Sequence, residues 1–125
     1  MWDSHISIKD FLFATMAEHV DSEERLAQFL QEGQKQNAPV FIKFTAKWCG
    51  PCRQIAPKFD ALAKAHADKA YFVSVDIDHL QDVATTFKVR QIPCFVAVKD
   101  MKPVESWLGA NPVILEQKIA HHIAK

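Results

Sequence analysis

The run Val40-Phe41-Ile42-Lys43-Phe44-Thr45-Ala46 reads as a strand, and it gives way almost at once to a helical pattern that begins at Cys49-Gly50-Pro51-Cys52. Apolar residues occupy both faces of this strand, which marks a central position in a sheet covered by helices on each side. The junction also sets the chemistry of the cysteines. Cys49 falls at or near the helix N-cap and Cys52 in the first turn, where free backbone N–H groups and the positive end of the helix dipole favour an anionic sulfur. Residues three apart share a helix face, so the two sulfurs can close a small disulfide ring or open it. Pro51 suits an early helical position, which has no intrahelical N–H bond to lose. Gly50 leaves the approach to Cys49 open. Such an arrangement suits a thiolate that attacks a disulfide and a second thiol that resolves the adduct.

The alternatives are narrowed by composition. A chain of 125 residues with 49% apolar content is one domain with enough core to fold without disulfide staples. Fifteen basic and fifteen acidic residues cancel, so no basic field exists to draw nucleic acid or an anionic membrane. No apolar run approaches membrane-spanning length, and no signal peptide or Arg-rich transit peptide is visible. Three cysteines are too few for a secreted disulfide scaffold, and Cys-x-x-Cys at a strand–helix junction fits a reducing compartment, the cytoplasm or the mitochondrial matrix. A zinc site would require about four N or S ligands; no second Cys-x-x-Cys or suitably spaced His pair accompanies the first, so no metal is expected.

Residues 1–15 read as an N-terminal extension and 16–125 as the domain. In the extension, Ser7-x-x-Asp10 with Ile8, Phe11, Leu12 and Met16 at helical spacing indicates a short amphipathic helix packed on the domain; exposure of Phe11 to Phe13 toward partners is the alternative. A strand is expected around Met16 to Val20. Asp21-x-x-Glu24 then forms a capping box for a helix with Leu26, Phe29, Leu30 and Gly33 on one face, followed by a loop from Gln34 to Pro39. The cysteine helix runs from Pro51 to about Ala67 and contains Pro57, which predicts a kink. Ala70 to Ile77 is a strand, Asp78-x-x-Gln81 caps a helix carrying Leu80, Val83, Ala84 and Phe87, and Cys94 to Val98 is a strand entered directly from Ile92-Pro93. Lys99 to Lys102 is a hairpin turn. Val104 to Leu108 is an edge strand with Pro103 at its start, and Asn111-Pro112 opens a last helix with Leu115, Ile119, His122 and Ile123 on one side. The order is β-α-β-α-β-α-β-β-α, an α/β layer sandwich on a mixed central sheet.

Taken together, Trp48-Cys49-Gly50-Pro51-Cys52, Pro57 five residues past Cys52, Ile92-Pro93 ahead of a strand, and Gly109 before the last helix resemble the thioredoxin family in the same order. The resemblance covers about residues 16–125. It implies a three-layer α/β/α sandwich and a protein-disulfide reductase with Cys49 and Cys52 as its dithiol. It implies a cis Pro93 facing the cysteines, and substrate polypeptide lying beside Trp48, Ile92 and Pro93. No bound cofactor is implied; a reductase or a low-molecular-weight dithiol restores the dithiol, and the chain is expected to act as a monomer. Four positions depart from the family pattern: Lys43 where a buried aspartate is usual, Ser74 for a frequent charged residue, and Met101 and Gln91 for frequent glycines.

Lys43 shares a strand face with Phe41 and Thr45 and is expected to be buried or to snorkel toward the cysteines. A charged amine would lower the thiol pKa and make the disulfide more oxidising; a neutral one could accept the proton of Cys52. Trp48, Gly50 and Pro51 are expected to shape the site with it. Cys94 reads as a small buried strand residue, a third redox-modulating thiol being the sharper alternative. The six histidines read as surface or packing residues, and Trp107 as alternating outward on an edge strand and partly exposed. A second function remains open: a polypeptide-holding module that uses the apolar surface around Trp48, Ile92 and Pro93 with weak reductase turnover.

Overall fold

The computed structural model describes residues 17–124. Its elements are β1 (Glu18–Val20), α1 (Glu23–Gln36), β2 (Val40–Thr45), α2 (Gly50–Ala65), β3 (Tyr71–Asp76), α3 (Gln81–Thr86), β4 (Cys94–Lys99), β5 (Lys102–Leu108) and α4 (Pro112–Ala124). The sheet order is β1-β3-β2-β4-β5, with β1, β3 and β2 parallel and β4 and β5 antiparallel to their neighbours. The expected element order and mixed central sheet are both present. The expectations for the extension and for Met16 lie outside the described residues.

Alternation along β2 divides the interior into two layers. Val40, Ile42 and Phe44 join Val73, Val75, Val96 and Leu26 beneath α1 and α3. Phe41 joins Phe72, Phe95, Phe59 and Ile119 beneath α2 and α4. Both faces of the central strand are therefore dry, the condition that buries Lys43.

Element ends differ from expectation at several points. The cap of α1 is Ser22, whose Oγ accepts from the Arg25 N–H at 3.1 Å, rather than Asp21. That helix continues to Gln36 and closes on Asn37, whose left-handed φ of 54° lets the Ala38 N–H return to the Gly33 carbonyl. Asp78 does not cap α3; the N-cap is Leu80 with no side-chain bond, because the Asp78 carboxylate accepts from Trp48 instead. Helix α2 ends at Ala65, and Pro57 lies within its continuous span. Strand β5 begins at Lys102, before Pro103, and a bulge at Ala97/Val98 absorbs the irregularity. Trp107 is partly exposed as expected but turns toward the core rather than outward: it stacks on Phe95 and His122, and its Nε1 is buried. As expected, Asn111 caps α4, its Oδ1 accepting from the Val113 and Ile114 N–H groups.

Candidate active site

Strand β2 ends at Thr45, the chain turns through Ala46 to Trp48, and α2 starts at Gly50 with Cys49 as its N-cap. Cys49 Sγ accepts from the Cys52 N–H at 3.2 Å, satisfying one of the orphan donors of the helix start with sulfur in place of the usual oxygen. The structure holds the two cysteines as a disulfide, Cα atoms 5.3 Å apart, so the spacing does bring both sulfurs to one point. A Cβ added at Gly50 would meet only the end of the Arg53 side chain at 3.9 Å, which leaves the approach open.

Cys49 and Cys52 are 5% and 1% exposed and pack with Ala46, Ile77 and Ile92. The Ile92–Pro93 peptide bond is cis, and the Ile92 carbonyl oxygen lies 4.0 Å from Cys49 Sγ. The Gly109 N–H donates to the Pro93 carbonyl at 3.0 Å, tying the end of β5 to the proline turn. Beside the pair, Trp48 is 67% exposed, an isolated large apolar surface at the mouth of the site. Its Nε1 donates to Asp78 Oδ2 at 2.8 Å, and the Asp78 N–H donates to Asp76 Oδ1 at 2.8 Å, so a chain of two hydrogen bonds orients the indole. The structure thus brings Cys49, Cys52, Ile92 and Pro93 together and sets Trp48 beside them.

Lys43 is buried, as its strand position requires, and its amine lies over the Phe59 ring. Nζ lies 5.3 Å from the centroid of Phe59, and Asp60 is the charge acting on it. Burial holds the amine below its ordinary 10.5, with the attraction of Asp60 opposing. Cys94 follows the proline turn but points into the layer under α1 and α3, opposite the cysteine helix, and burial raises its thiol pKa. Its surroundings match an inert core thiol.

One feature of the site escaped sequence reasoning. A cavity of about 360 Å³ opens beside Cys52, and Asp76 lines it with Thr45, Ala56, His19 and Arg53. Asp76 is itself buried. Its place depends on the parallel register that sets Thr45 opposite Asp76, which no local sequence pattern reports.

Known proteins share this arrangement. The sequence profile of the thioredoxin family matches residues 19–124. Thioredoxin H4 of Arabidopsis thaliana is 44% identical over 93 residues, which are 74% of this chain and 78% of that protein. Thioredoxin-1 of Schizosaccharomyces pombe is 40% identical over 84 residues, 67% of this chain and 81% of that protein. Among solved structures, a wild-type poplar thioredoxin h superposes with a TM-score of 0.80 at 31% identity, covering 84% of this chain and 94% of the other. With a Cys-Gly-Pro-Cys disulfide at a helix start beside a cis proline, a family match across nearly all of the described residues and relatives at this identity, the chain belongs to the thioredoxin family of thiol-disulfide oxidoreductases.

Proposed function

We propose that Cys49 is the attacking thiol and Cys52 the resolving thiol of a protein-disulfide reductase. In the dithiol form, the Cys49 thiolate attacks a substrate disulfide and one substrate sulfur leaves as thiolate. Cys52, deprotonated, then attacks Cys49 Sγ; the mixed disulfide breaks, and its electron pair departs on the second substrate sulfur. The substrate gains two electrons, and the protein is left with the Cys49–Cys52 disulfide.

One observation carries this assignment: Cys49 Sγ sits at the N-cap of α2 and accepts from the Cys52 N–H, where a thiolate gains from both hydrogen bond and dipole. Substrate polypeptide lies against Trp48, Ile92 and Pro93, and Gly50 and Pro51 keep the approach narrow and open. Lys43 modulates the pair electrostatically. An external reductase or low-molecular-weight dithiol returns the electrons, with no bound cofactor. The chain works as a monomer in the reducing cytoplasm or mitochondrial matrix, residues 1–15 being an extension to the 16–125 domain.

Insulin disulfide reduction with a chemical dithiol tests the assignment. Cys49→Ser should lower turnover by about two orders of magnitude or more, because no sulfur remains to open the substrate bond. Retained turnover sinks it. Absence of turnover in wild type, with client aggregation still suppressed by Cys49→Ser, would indicate a polypeptide-holding module instead.

A further inference from the structure

Strand register gathers polar side chains on the sheet face that α2 covers. Thr45 of β2 pairs with Asp76 of β3; one row away Lys43 pairs with Ser74, which on its other side pairs with His19 of β1. The same face also carries the apolar Phe41, Phe72, Phe95 and Ala97. The cavity beside Cys52 lies over this patch, so two buried residues, Asp76 and Cys52, line one space.

Resolution needs a proton acceptor there. Cys52 is 1% exposed and has to ionise before it can attack Cys49. Lys43 is poorly placed for this. Its amine lies over the Phe59 ring, with Asp60 as an attracting charge, and both sit about two turns beyond Cys52 on the helix; Lys43 does not line the cavity.

We propose that Asp76 accepts the proton of Cys52 across this cavity, directly or through one water. The inference rests on the Cys49/Cys52 assignment above. In the mixed disulfide, the Cys52 S–H bond breaks, the proton passes to the Asp76 carboxylate and the electron pair stays on sulfur. That sulfur bonds Cys49 Sγ and expels the substrate thiolate, which takes a proton from solvent; Asp76 later returns its own to solvent. The titratable and charged groups around Asp76 are His19 from β1, Lys43 and Lys47 from β2 and its exit, Cys52 and Arg53 from α2, and Asp78 on its own chain.

Asp76→Asn separates this role from a structural one, since the amide oxygen can still accept from the Asp78 N–H. The assay uses the reduced full chain and the aromatic disulfide 5,5′-dithiobis(2-nitrobenzoate), which releases one chromophore on attack by Cys49 and a second on resolution by Cys52. The first phase should match wild type. The second should slow by about 10–100-fold near neutral pH and recover toward alkaline pH, where hydroxide removes the proton without Asp76. Asp76→Glu should restore part of the rate. A second phase unchanged at every pH, or slowed equally at every pH, overturns the proposal, as does a pH-dependent deficit found in Lys43→Met instead. Should Asp76→Asn fail to fold, Asp76→Ser is read by the same criteria. Loss of two-phase release in wild type, or its survival in Cys49→Ser, would condemn the cysteine assignment itself; a normal wild type with a normal Asp76 variant condemns only the role of Asp76.

Discussion

At Lys43 the alternation of β2 places an amine on the buried face that also carries Phe41, Phe72 and Phe95. Desolvation weakens its hold on a proton and Asp60 strengthens it, so the charge on this residue is a balance of two opposed effects. As an ammonium beneath α2, it acts on the sulfurs by on the order of 1 kcal/mol. Reversing that charge should be measurable. Lys43→Asp is expected to raise the pH at which Cys49 becomes alkylatable by several tenths of a unit to about one unit. It should also make the disulfide less oxidising, because the thiolate form loses its support. Alkylation rates across pH, together with equilibration in a dithiol redox buffer, measure both; if neither moves, Lys43 is a packing residue. The burial of Lys43 was readable from the period of two along the strand, just as the roles of Gly50 and Pro51 were readable from local backbone rules. What surrounds the amine was not, because Phe59 and Asp60 reach it from another element. The same holds for Asp76, whose nearness to Cys52 is a matter of strand register.

Element boundaries show where local signals compete. Asp21 and Ser22 can both cap α1, and only the path of the chain out of β1 decides for Ser22. Asp78 had the right spacing to cap α3, yet a longer-range donor, the Trp48 indole, takes its carboxylate. Two backbone positions give opposite predictions from one principle. Gly33 lies in α1 where a Cβ would come within 2.6 Å of Val40 Cγ2 and 2.9 Å of the Ala38 carbonyl oxygen. Gly33→Ala would gain about 1 kcal/mol of helix propensity and lose about 1–3 kcal/mol to overpacking against a sheet that cannot recede. The net expectation is destabilisation. Asp100 and Met101 turn the β4–β5 hairpin with φ of 53° and 67°. A left-handed methionine is strained by about 1–2 kcal/mol, whereas glycine there adds about 0.5–1 kcal/mol of chain entropy to the unfolded state. Met101→Gly should therefore stabilise by several tenths to about 1 kcal/mol. Urea midpoints of the two variants check both signs, and a stabilised Gly33→Ala or a destabilised Met101→Gly would contradict the packing described.

Across the whole molecule, burial places three groups on opposite sides of one pH ledger. Cys94 and Tyr71 are held above their ordinary 9.0 and 10.0, Cys94 by desolvation and Tyr71 by desolvation with the nearby Glu32 adding to it. Between ordinary and raised values the folded state binds more protons, so their contribution is complete below about pH 9 and declines as pH rises. Lys43 runs the other way. Its folded value lies below 10.5, so between the two the unfolded state binds more protons and stability rises with pH. The penalty of burying the ammonium is thus full below the folded value and fades toward pH 10.5, each tenfold loss of proton affinity corresponding to about 1.4 kcal/mol. Lys43→Met keeps the length of the side chain and removes the titration, while Cys94 and Tyr71 remain in both proteins and cancel in the difference. At neutral pH the variant should be at least as stable as wild type. The stability of wild type minus that of the variant should then climb as pH rises toward 10.5, read from denaturant midpoints on the disulfide form of each. Parallel curves across that range would mean that Lys43 reaches water in the folded state, and the dry central strand that organises both layers around the cysteine helix would have to be redrawn.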